Sequence, residues 1–175
     1  MTKPLLHGRR RPTRDRDQIP IHTRENYMKR IILPAVLALV TGTPGFVIAA
    51  DHRVEMRNKG SDGSAMIFEP RLVKAEIGDT VTFVAIDKGH NSSAIKKGVP
   101  DGTAEWKGEI NQEITVKIEA PGVYMFQCTP HFGMGMIGAI VAGQPVNLEA
   151  VKAIKFPGKA KQVASEIFAE IEADD

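Results

Sequence analysis

The chain has 175 residues, 42% hydrophobic and 25% charged, enough for one compact domain with appendages. Its formal net charge of +2 hides an asymmetry, because residues 1–50 carry nine Lys/Arg against three Asp/Glu and leave 14 basic and 18 acidic residues in the rest. The basic balance therefore belongs to the leader, and the acidic remainder excludes nucleic acid as a default partner.

Residues 1–27 are polar and Arg-rich without an apolar period, and are read as an upstream stretch ahead of a true start at Met28. Met28-Lys29-Arg30 then opens an apolar run that ends in Val47-Ile48-Ala49-Ala50. A positive start, an apolar core and a small-residue end make residues 28–49 a cleavable signal peptide, with the mature chain beginning at Ala50 or Asp51. A membrane anchor fits less well, because Thr41-Gly42-Thr43-Pro44-Gly45 interrupts a run that would need ~20 predominantly apolar residues. A twin-arginine signal is weaker still, since Arg9-Arg10-Arg11 lie far from that run.

From Val54 to Ala142 short β-rich runs alternate with turn chemistry. Strands are predicted over His52–Arg57, Ala65–Phe68, Leu72–Ile77, Thr80–Ile86, Ile114–Ile118, Val123–Gln127 and Ile137–Val141. Pro70 is expected to break or bulge the pairing around it. Turns every eight to twelve residues predict an antiparallel sandwich over 50–143, with one core. After Gly143 the period changes from 2 to 3.6. Asn147 can cap a helix over Leu148–Lys155, Phe156-Pro157-Gly158 breaks it, and a second helix follows over Lys159–Ala173. This extension, 144–175, is expected to pack on the sandwich.

The sequence contains one cysteine, Cys128, and three histidines beyond residue 50: His52, His90 and His131. A lone cysteine in an exported chain has no internal disulfide partner. Its surroundings, Cys128-Thr129-Pro130-His131-Phe132-Gly133-Met134-Gly135-Met136, place a thiolate, an imidazole and two thioethers on one loop between strands. Two His and one Cys with a weak axial Met is the ligand set of electron-transfer copper. His90, just after the strand at 80–86, is the candidate for the remote ligand, which would tie the loop to the body of the fold. Met134 and Met136 compete for the axial place. His52 has no partner motif and is expected to be a solvated surface residue.

These residues carry a resemblance. Asn58-Lys59-Gly60, Ala65-Met66-Ile67-Phe68-Glu69-Pro70, Gly78-Asp79-Thr80-Val81-Thr82-Phe83, Asp87-Lys88-Gly89-His90-Asn91, Ala120-Pro121-Gly122-Val123-Tyr124 and Cys128-Thr129-Pro130-His131 resemble the pseudoazurin group of the cupredoxins, small blue-copper proteins. The likeness spans essentially the whole mature chain. It implies an eight-stranded Greek-key β-sandwich followed by two helices, and one type 1 copper held by His90, Cys128, His131 and Met136. It implies a monomeric periplasmic carrier that passes electrons to reductases, copper nitrite reductase above all, and deals with cytochromes. It also implies that the exposed edge of His131 is ringed by lysines, here Lys59, Lys88 and Lys107, with Lys152 and Lys155 as further candidates. Gln127 and Glu109 depart from that basic ring.

Around the ligands, Asn91 is placed to bond across to the Cys128 loop or to cap a turn. Pro130 lacks an N–H and cannot donate to the sulfur. Met66 lies near the copper or in the core. Trp106 is read as a packing residue. Two other functions compete with electron transfer: copper delivery, against which the closed ligand set argues, and catalysis, for which no nucleophile–base motif or second histidine cluster exists beyond residue 50.

Overall fold

The computed structural model, which describes residues 48–174, forms eight strands. They are β1 (Asp51–Lys59), β2 (Ala65–Glu69), β3 (Leu72–Ala75), β4 (Thr80–Ala85), β5 (Ser93–Ala94), β6 (Ile114–Lys117), β7 (Gly122–Gln127) and β8 (Ile137–Ala142). Two four-stranded sheets result, in the orders β2-β1-β4-β6 and β3-β8-β7-β5. The eight-strand sandwich with a helical tail is the expected fold class. The upstream stretch and the export segment up to residue 47 lie outside the described residues.

The sheets are mixed, which corrects the antiparallel expectation. β1 runs parallel to β4, and β3 parallel to β8. Parallel neighbours need a crossover of about a dozen residues or more. The chain between Lys59 and Thr80 supplies one, running up through β2 in one sheet and back through β3 in the other. Periodicity reports which face of a strand is buried, not its direction. β5 escaped the reading because two residues are too few to show a period.

The two sheets differ in how they are covered. β4 alternates between buried and half-buried residues, whereas five of the six residues of β7 and five of the six of β8 are buried. One face of the second sheet meets the inter-sheet core of Val54, Met56, Phe68, Phe83, Phe126 and Ile140. Its other face, with Val123, Met125, Ile137 and Ala139, is covered by Val163, Ala164, Ile167 and Phe168. Those residues belong to α2 (Ala160–Ala173), which follows the short α1 (Leu148–Lys152). α1 is shorter than expected. Asn147 does not cap it: its Oδ1 accepts from Val123 N at 2.7 Å and its Nδ2 donates to Val123 O at 2.9 Å, so it ties the tail to β7 instead.

Beneath the β7–β8 turn, Phe68, Phe83 and Phe126 meet edge to face, with centroids 4.8–6.1 Å apart. Each such ring contributes about 1.5–3 kcal/mol on full burial. Phe126 rests on Gly138, where a Cβ would come within 2.4 Å of the ring and 2.5 Å of the Arg71 carbonyl. Trp106 stacks on Phe83 and donates to Ser92 Oγ at 3.0 Å. His52, expected in solvent, is half-buried: its Nε2 lies 2.9 Å from Asp79 Oδ2, a partner 27 residues away in the loop before β4. Among the described residues no helix is long and apolar enough to cross a membrane.

Candidate metal centre

The turn from β7 to β8 is built by the sequence from Cys128 to Met136. Thr129–Met134 form a short 3-10 helix, with Pro130 in its first turn where a missing N–H costs nothing. The turn closes on itself: Cys128 N donates to Met136 O at 3.0 Å and Met136 N to His131 O at 3.2 Å. Gly135 ends the helix at φ 95°, a left-handed conformation that a side chain would strain. These bonds hold Cys128 and Met136, both fully buried, at the base of the turn.

His90 arrives from the other sheet, in the loop after β4, and is also fully buried. Its Nδ1 lies 3.7 Å from Cys128 Sγ and 3.2 Å from His131 Nδ1, which itself lies 3.4 Å from Cys128 Sγ. The centre of that triangle is about 2 Å from each corner, the reach of a metal–nitrogen bond. His90 Nε2–H donates to Asn58 Oδ1 at 3.0 Å, which leaves Nδ1 as the free lone pair aimed at the centre. Two imidazole nitrogens and a sulfur thus converge within 4.8 Å of one another, a set of donor atoms that one cation could bridge. The soft sulfur and the imidazoles suit copper.

Burial shapes the protonation of this cluster. It lowers the His90 pKa from its ordinary value, reinforced by nearby His131 and opposed by Asp87. It raises the Cys128 thiol, while the backbone N–H groups of Asn91 and His131 act the other way. Pro130 therefore withholds one donor from the sulfur, but two others are present.

Asn91, 3% exposed, joins the two loops. Its Oδ1 accepts from Thr129 N at 2.8 Å, and its Nδ2 reaches Thr129 Oγ1 at 3.1 Å, Gly108 O at 2.9 Å and Ser93 Oγ at 3.2 Å. Met66 is half-buried at φ 53° against the core that contains Cys128 and Met136. Met134, the other axial candidate, is 50% exposed. Lys59, Lys88 and Lys107 are exposed, and each adjoins the network: Lys59 follows Asn58, Lys88 is two residues before His90, and Lys107 precedes Gly108. Asn58 is the site residue that sequence reasoning missed. It enters the sequence reading only within the Asn58-Lys59-Gly60 motif, and nothing local marks a side chain whose partner is 32 residues away.

Residues 54–143 match the model of the copper-binding plastocyanin/azurin family. A pseudoazurin of Paracoccus pantotrophus is 48% identical over 129 residues, which cover 73% of this chain and 87% of that protein. The chain belongs to the pseudoazurins. The pseudoazurin of Methylorubrum extorquens is 37% identical over 145 residues, 82% of this chain and 97% of that one. Among solved structures, a Sinorhizobium pseudoazurin superposes with a TM-score of 0.70 at 63% identity, covering 72% of this chain and 99% of that one. The Hyphomicrobium denitrificans pseudoazurin gives 0.66 at 42%, covering 69% and 97%. As a pseudoazurin the chain is a cupredoxin electron carrier for one copper ion, not an enzyme.

Proposed function

We propose that His90, Cys128, His131 and Met136 hold the single type 1 copper, and that the exported chain carries electrons in the periplasm to a copper nitrite reductase. The observation that carries this reading is the convergence of His90 Nδ1, His131 Nδ1 and Cys128 Sγ within 4.8 Å of one another. Copper supplies a one-electron Cu(I)/Cu(II) couple. The protein's part is to keep its ligands still. Cys128, His131 and Met136 are spaced by the closed turn, and Asn91 and Asn58 fix that turn and His90 to the body of the fold. Little rearrangement on electron gain or loss makes transfer fast.

Of the clustered residues only His131 reaches the surface; His90 and Cys128 are buried. Exposed Pro130, Gly133 and Met134 surround it in the sequence, an apolar edge suited to brief contact with a reductase or with a donor cytochrome. Lys59, Lys88 and Lys107 would steer an acidic partner toward that edge. The carrier acts as a monomer. Pro130 and the Met66 packing tune the environment of the sulfur.

The test is the visible spectrum of the Cu(II)-loaded mature protein before and after reduction, followed by its rate with copper nitrite reductase against salt. An intense thiolate-to-copper band, bleached by reductant, and a rate that falls as salt rises are expected. A colourless copper complex removes the ligand assignment, and a salt-independent rate removes the lysine steering.

A further inference from the structure

At the end of the sandwich away from the copper site, Asp79 is a buried carboxylate, 4% exposed. It collects three donors: Ala50 N at 2.7 Å on Oδ1, and Glu76 N and His52 Nε2, each at 2.9 Å, on Oδ2. Among the described residues Ala50 is also the first one tied to a sheet, since its carbonyl accepts from Thr80 N at 2.9 Å. Upstream of it, Ala49 is exposed and Ile48 is 87% exposed, a large apolar side chain left in water on a strand-less lead-in.

We infer that export processing cuts between Ala49 and Ala50, and that the α-ammonium so created is held by Asp79. The inference rests on the export reading above and decides between its two candidate cut positions. A cut one residue later would delete Ala50 and both hydrogen bonds it makes. A cut before Ala50 keeps both and changes only the charge of one donor. The hydrolysis consumes one water: Ala49 leaves as a carboxylate, and the Ala50 nitrogen becomes an amine that takes up a proton. The bond to Oδ1 at 2.7 Å then turns from a neutral amide contact into a charge-assisted one, about twice as strong. His52 and Glu76 N already orient the carboxylate, so no rearrangement is needed. Asp79 is held as a carboxylate by those same donors, first the Glu76 N–H, then His52 and Ala50. The export signal and the fold thus meet at one atom, and removal of the leader tightens the start of β1.

The experiment has two arms. In the first, the full chain is expressed in an exporting Gram-negative host, and the copper-loaded product is read by intact mass and N-terminal sequencing. A start at Ala50 is expected. A start at Asp51 or elsewhere overturns this inference alone, and an uncut chain overturns the export reading with it. In the second, chains beginning at Ala50 and at Ala49 are made without export, loaded with copper and melted. The Ala50 chain should melt about 2–5 °C higher, and Asp79→Asn should erase the gap. Equal melting temperatures, or a gap that survives Asp79→Asn, would overturn the ammonium–carboxylate pair even if the cut is placed correctly.

Discussion

β1 and β4 lie side by side and parallel, and each end of the pair sets a histidine against a polar partner. At the start, His52 of β1 faces Asp79 at 2.9 Å; at the far end, His90 beyond β4 faces Asn58 of β1 at 3.0 Å. One partner is a carboxylate and the other an amide. A carboxylate attracts a charged ring, whereas an amide oxygen accepts an N–H without favouring charge. The first histidine is half-buried and the second fully buried. The same strand pair therefore makes a structural clamp at one end and an oriented ring at the other, where His90 Nδ1 also meets Cys128 Sγ at 3.7 Å and His131 Nδ1 at 3.2 Å.

Removing each ring tests this contrast most severely. His90→Ala should abolish the intense thiolate-to-copper absorption, while His52→Ala should leave the band intact and lower only the melting temperature. Loss of the band in both variants would mean that the two ends are not independent. Next in size is Asn91→Ala, which removes four hydrogen bonds to Ser93, Gly108 and Thr129 and should cost about 1–3 kcal/mol in denaturant unfolding. It should also broaden the copper spectrum, because Thr129 loses its anchor.

Asn58→Asp carries the carboxylate arrangement to the copper end. A more basic His90 stabilises the more highly charged oxidised ion, so the reduction potential should fall, on the order of 59 mV for each tenfold gain in relative affinity. An unchanged potential in cyclic voltammetry would show that the Asn58 contact orients the ring without tuning it. The smallest effect belongs to acid stability. The Asp79 carboxyl is held at about 2, below its ordinary 3.8, first by the Glu76 N–H. Its contribution is complete above pH 3.8 and is lost as pH falls through 2. Asp79→Asn should therefore flatten the fall in melting temperature across that window, and an unaltered profile would place the acid-sensitive group elsewhere.

Much of the metal site could be read in the sequence because its chemistry is local there. Cys128, His131 and Met136 sit on one loop, and their atom types alone point to copper. His90 was accessible by elimination, as a histidine at a strand end. Choosing Met136 over Met134 drew on family resemblance; in the fold, Met136 is buried beside Cys128 and Met134 is 50% exposed. Asn58, His52 and Asp79 were misread or passed over because each finds its partner roughly thirty residues away, across the parallel pairing that periodicity does not report.

By itself, then, the sequence determined what depends on neighbours along the chain. Alternation set the strands, the period change at Gly143 set the helical tail, and residue spacing set the copper loop. Tertiary structure decided what depends on chains meeting in space. It made the sheets mixed and buried both faces of β7 and β8. It turned Asn147 from a helix cap into a clamp on β7, and it gave His52 and His90 the partners that orient them. The physical reason is that backbone period and turn chemistry are properties of a few adjacent residues, whereas hydrogen-bond partners and burial come from the whole packed fold.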